Sequence, residues 1–210
     1  LVKELALNGV SMAIMYCIVD LGSILFQSAN NQLGEKIISA HTASRRIIQM
    51  MMQPLVSMSN AASTFVAQNY GAKKIRRIHI ALKEVSILVL IWSGFSCIVA
   101  FAFGNALLQW ITGTRDVLVI ENAVMSLRWH LSFFPALGWL LTLRTSMQAM
   151  GLKIIPVLSS GIELVMKVAS SVFIIPKVGF FGTCITEPFT WLMMFIFLLF
   201  SYRKWRRKIK

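Results

Sequence analysis

Asp20 stands near the middle of an apolar run covering residues 10–28. An ionised carboxylate in hydrocarbon is expensive unless it meets water, a cation or a basic partner, so this residue is expected to face a cavity or a partner. A salt bridge without a transport role is the alternative. Arg45 and Arg46 precede a second apolar run. Adjacent helical residues point about 100° apart, so one of the two arginines is expected to face inward, as a candidate partner for Asp20. Glu163 and Lys167 stand four residues apart with the acid first, the favoured order for an ion pair on one helical face. Pairing would let both sit at depth, with a structural role preferred over a gating one. Gln27, Asn30 and Asn31 follow Asp20 as a polar mouth or as ordinary loop solvation. Gln53, the pair Arg144 and Gln148 one turn apart, and Glu187 before Pro188 complete the cavity or gating candidates, with an interfacial anchor the preferred role for Arg144 and Gln148.

Other chemistries find no support. His41, His79 and His130 lie in or beside connections, without a second His at ligand spacing or a Cys partner, so no metal site is expected. Cys17, Cys97 and Cys184 fall one to a span with no Cys-x-x-Cys, which argues against a disulfide framework. No nucleophile and base can be assembled, so no enzymatic activity is expected. Met50, Met51, Met52 and Met58 would make an adaptable apolar wall, although packing is the simpler role.

The elements that must position these groups are set by the solvent. Residues 85–103, VSILVLIWSGFSCIVAFAF, contain no charge and are long enough at about 1.5 Å per residue to cross a hydrocarbon core of roughly 30 Å. Inside lipid the backbone must satisfy its own hydrogen bonds, so each apolar run is read as a helix. Six spans result: 10–28, 47–66, 85–103, 129–143, 154–175 and 180–202. The runs do not alternate as barrel strands do. The fold expected is an all-α membrane protein, a six-transmembrane-helix bundle.

The net charge of +13 on a chain that is 57% hydrophobic follows the membrane. Basic residues cluster in the connection with Lys73, Lys74, Arg76, Arg77 and Lys83 and in the tail YRKWRRKIK, joined on the same side by Lys3, Arg144 and Lys153. Lys36, Arg45, Arg46, Arg115, Arg128 and Lys177 fall opposite. Both ends are therefore expected in the cytoplasm, and the tail suits an anionic lipid surface with Trp205 at headgroup level. No basic face with interleaved aromatics points to nucleic acid. The chain opens on Leu1 with no signal-peptide pattern ahead of its first apolar run, and a preceding segment is expected.

Gln68 to Lys73 and Gln148 to Lys153 share the pattern Gln-x-x-Gly-x-Lys, expected to be two helix ends capped by glycine. Residues 75–84 read as a short helix lying on the membrane face between the second and third spans. The turn Pro176-Lys177-Val178-Gly179 makes the last two spans antiparallel neighbours. Pro54, Pro135 and Pro188 are expected to kink their helices.

The runs LGEKIISAHTASRRIIQMMMQP, VAQNYGAKKIRRI, LRTSMQAMG, GIELVMKV and GFFGTCITEPFTW, taken in order over nearly the whole chain, resemble the carboxyl-terminal half of a multidrug and toxic compound extrusion (MATE) transporter. The resemblance implies one lobe of a twelve-helix antiporter, with an amino-terminal six-helix lobe as partner. It also implies a central cavity for amphipathic, mainly cationic organic substrates, and sodium or protons as coupling ion, with no other cofactor. Alternating access would move cargo outward across the plasma (cytoplasmic) membrane. Asp20 resembles, in type and depth, a carboxylate that coordinates cations in some branches, and the resemblance makes it the leading candidate for cation or proton binding. Arg144 and Gln148 match the family, Lys167 often corresponds to Arg, and Glu187 departs from the neutral residue more usual before that proline. Lipid-linked oligosaccharide flippases share the architecture and would need Arg45, Arg46, Arg144 and Lys167 to converge. A non-transporting membrane scaffold would instead pair every charge and keep no cleft.

Overall fold

A computed structural model describes residues 2–209, with side chains described at 9–10 and 12–207. The side chains of Lys3 and Lys208, and all of Lys210, lie outside the described residues, so their part in the charge asymmetry is not located. The helices are α1 Val2–Asn31, α2 Glu35–Gly71, α3 Ile75–Thr112, α4 Val117–Ser132, α5 Phe134–Ala149, α6 Ile154–Ala169, α7 Ile175–Val178 and α8 Phe180–Ile209. A π-helical turn, Ser170–Ile174, joins α6 to α7. No strand occurs among the described residues. The protein is an all-helical membrane protein. Four segments, Met12–Asn31, Ile75–Thr112, Ile154–Val178 and Phe180–Arg207, are long and apolar enough to cross a bilayer. They correspond to the first, third, fifth and sixth expected spans.

The second and fourth spans differ for physical reasons. α2 runs 37 residues, but Arg45, Arg46, Gln49 and Gln53 dilute its apolar character. The expected fourth span, 129–143, is instead two 16-residue helices meeting at Phe133. Pro135 has no N–H to continue the ladder, so it takes the first turn of a new helix, where a missing donor costs nothing. A kink was expected there, and a helix boundary is found.

The expected surface helix over 75–84 is also corrected. It forms the opening turns of the 38-residue α3, because no glycine or proline interrupts the chain before Gly94 and because Ile78 and Leu82 are buried in the main core. The two Gln-x-x-Gly-x-Lys copies are not structurally equivalent. At the end of α2 the left-handed residue is Lys73, with φ 57°, and Lys74 N–H donates to Asn69 O at 2.8 Å. At the end of α5 it is Gly151, with φ 79°, and Leu152 N–H donates to Met147 O at 3.0 Å. Both ends carry the same six-residue capping bond, two positions apart in the shared pattern. Between α7 and α8 the chain turns on Gly179, φ 64°, and α6 and α8 pack as neighbours, as the short connection requires.

α2 lies against α3, α4 and α5, α8 connects α4 and α5 to α6, and α6 carries α1 at the edge of the bundle. α1 scarcely touches α2. Lipid tails are as apolar as leucine, so these helices associate by close packing and polar contacts more than by the hydrophobic effect. Gly138 shows the first kind: a Cβ there would sit 2.5 Å from a Val89 methyl and 3.2 Å from a Leu55 methyl. Trp92 of α3 shows the second, donating its indole N–H to the Met51 carbonyl of α2 at 2.8 Å.

Candidate functional site

α6 is built inside out. Pro156, Ser159, Ser160, Glu163 and Lys167 are buried, a polar stripe at helical spacing, while Ile154, Leu158 and Val165 are exposed. α8 meets it with Thr183, Thr186, Glu187 and Thr190, all buried. Hydroxyls satisfy the seam: Ser170 bonds Thr186, and Thr183 donates to Asn30 of α1.

Along this seam the charges form a chain of alternating sign. Arg45 Nη1 on α2 reaches both Glu187 oxygens at 2.6 Å. Lys167 Nζ lies 3.9 Å from Glu187 and 2.9 Å from Glu163. Arg144 Nη1 on α5 lies 3.9 Å from Glu163, and its Nη2 donates to Ser160 at 2.7 Å. Lys167 also donates to Ser23 of α1 at 2.9 Å. Buried charges are tolerated only when paired and hydrogen-bonded, and the chain meets that condition across five helices. Its exposed end is Arg45, whose side chain is 33% accessible.

The sequence-derived candidates divide. Glu163 and Lys167 pair as their spacing predicts. Arg45 is the inward-facing arginine of its pair, but its partner is Glu187, which corrects the expected bridge to Asp20. Arg46 turns outward instead, to a recess of about 430 Å³ near Thr112, Thr114 and Asp116. Asp20 is exposed on α1 with no ion pair or hydrogen bond among the described residues. Gln27 donates to Asn31 at 2.9 Å on the exposed side of α1, whereas Asn30 is buried. Gln53 is exposed on α2. Arg144 and Gln148 both approach the Met15 sulfur at 3.1 Å, tying α5 to α1. Met50 faces outward, and Met51, Met52 and Met58 pack on the core.

Two histidines are placed differently from expectation. His130 lies buried within α4, with Nδ1 2.7 Å from Ser126 O and Nε2 3.1 Å from Glu187. His41 is buried edge-on to Phe180. The signal that finds His130 is its position in the run Ala123, Val124, Leu127 and Leu131, which marks an inward face. Reading the helix as starting at Trp129 hid that periodicity. No group of three or more potential metal ligands occurs among the described residues.

Among the described residues, Glu163 and Glu187 are therefore held by basic neighbours, and Asp20 is not. A recess of about 240 Å³ between α6 and α8 is lined by Ser170 and Thr186 among apolar side chains. Of the four basic residues a pyrophosphate site would need, Arg45, Arg144 and Lys167 converge, each on a carboxylate, and Arg46 stays apart.

Outside the membrane-spanning segments, Asp116 caps α4 by accepting from Leu118 N–H at 3.0 Å and pairs with Lys36 at 2.7 Å. Its carboxyl is held below the usual aspartate range, first by the Lys36 hydrogen bond and then by the backbone N–H groups of Val119 and Leu118.

No curated protein matches the chain. A family model described as MatE matches residues 11–173, from α1 through the π-helical turn and including Asp20, Arg45, His130, Arg144, Glu163 and Lys167. The chain belongs to the MatE family, a family of membrane transporters.

Proposed function

We propose that the protein is a cation-coupled efflux antiporter of amphipathic organic compounds, working by alternating access, and that this chain supplies its carboxyl-terminal lobe. The amino-terminal six-helix lobe is the partner, the cytoplasmic membrane is the setting with both ends of the chain inside, and sodium or a proton is the coupling ion. Asp20 is the cation-binding residue. Gln27, Asn31 and Gln53 add polarity to the wall it stands on, and Arg144, Gln148, Glu163, Lys167 and Glu187 hold the lobe together behind it.

The observation that supports this most is the state of Asp20, a carboxylate without a partner among the described residues, on the exposed side of an apolar span. Facing lipid it would be costly, so the open side of α1 is the side turned to an aqueous cleft and the second lobe. A scaffold with all its charges paired does not account for it. A flippase cavity gains little from arginines already neutralised by Glu163 and Glu187, so lipid-linked glycan export is the weaker reading. The test is flux of a cationic dye from vesicles containing the complete transporter, driven by a sodium or a proton gradient. Replacing Asp20 by Asn should abolish gradient-driven flux, and full coupling in that variant overturns the assignment.

A further inference from the structure

His130 and Glu187 stand in a relation that fixes a hydrogen atom. His130 Nδ1 lies 2.7 Å from the carbonyl oxygen of Ser126. A carbonyl only accepts, so Nδ1 carries a hydrogen. Nε2 then faces Oε2 of Glu187 at 3.1 Å. A bare imidazole nitrogen and a carboxylate oxygen would point lone pairs at each other, which is not a hydrogen bond. The contact is a hydrogen bond only if a proton lies between them, on the ring as an imidazolium or on the carboxyl as an acid. Either way the pair contains one proton more than neutral histidine plus carboxylate.

We propose that His130 and Glu187 together form a proton-binding site that clamps α4 to α8, and that losing this proton releases the clamp. Resting on the transporter reading above, it selects the proton as a coupling ion and adds a second titrating locus to Asp20. Charged groups face the pair from three other helices. Arg45 and His41 approach from α2, Lys167 and Glu163 from α6, and Arg144 from α5 behind Glu163, while Ser126 and Cys184 add only neutral groups from α4 and α8. Once it leaves to water, the two lone pairs repel, and Glu187 keeps Arg45 and Lys167 as partners on the other side. The clamped form holds the extra proton, so acid favours the clamp and rising pH opens it.

Trp191 supplies the readout, since its ring lies edge-on to His130 at 5.6 Å between centroids. In the purified complete transporter, Trp191 emission, isolated by difference from Trp191→Phe, should show one reversible step as the pH is varied. In Glu187→Gln the amide donates to Nε2 without a proton, and the step should be lost or displaced downward by at least about one pH unit. Nitrogen NMR of histidine-labelled protein, with His130 identified by its absence in His130→Gln, covers the case in which that variant does not fold. The His130 signal should titrate with the Trp191 step while Nδ1 stays protonated. No step in the parent, an unchanged midpoint in Glu187→Gln, or a His130 that loses its Nδ1 hydrogen overturns the proposal. Asp20→Asn should keep the step even as it abolishes coupled flux, so the two claims fail separately.

Discussion

Leu55, Val89 and Gly138 meet where α2, α3 and α5 cross, and no Cβ fits between them; Glu163, Lys167 and Glu187 meet where α6 crosses α8, and Lys167 lies within 3.9 Å of both acids. The first junction is held by shape and has one good arrangement. The second is held by charge and has interchangeable partners, since Lys167 can lean to either carboxylate and Arg45 can hold Glu187 alone. In a solvent that does not drive helices together, both devices are needed. If the lobe rearranges, shape should keep α2 to α5 together as a block, and re-pairing should fall to the edge made of α1, α6 and the start of α8.

The contrast is broken most severely at Glu187. Replacing it by Leu leaves Arg45 and Lys167 without their shared acid and should cost about 3–5 kcal/mol in reversible unfolding from detergent. Adding Arg45→Met should restore much of that loss, because an ion pair exchanged for apolar groups of similar size is often neutral. Gly138→Ala probes the other half. It should cost about 1–3 kcal/mol by overpacking against Val89, with no pH dependence.

Smaller changes sharpen the boundary. Lys73→Gly should stabilise the end of α2 by up to about 1 kcal/mol, because glycine adopts positive φ without steric penalty. The slightest effect belongs to Asp116. Its carboxyl is depressed by Lys36, so its contribution to the α4 cap is complete at neutral pH. That contribution fades only as the pH falls through and below the ordinary aspartate range. Asp116→Asn should flatten this acid limb in amide exchange of the first turn of α4 and leave the neutral value nearly unchanged.

Much of this was legible in advance, and the reasons are local. The charge-free run at 85–103, the i,i+4 acid and base at Glu163 and Lys167, and the divergence of Arg45 from Arg46 depend on helical geometry alone. What escaped depends on contacts between distant segments. Glu187 pairs with Arg45 across 142 residues and with His130 across 57, and nothing near any of the three announces it. The break at Phe133 was half visible in Pro135, which signals a disturbance without saying whether a helix bends or ends. The repeated Gln-x-x-Gly-x-Lys misled because a capping bond can form on either side of a glycine, and at Lys73 it forms past it.

The central claim is that the open side of α1 looks onto water and not lipid. A cysteine at position 20, introduced with Cys17→Ser in the complete transporter in native membranes, should react with a membrane-impermeant thiol reagent. Substrate or a change of gradient direction should alter its rate. Protection of that cysteine from aqueous reagent under every condition, while a cysteine in place of exposed Lys36 reacts freely, would contradict the account.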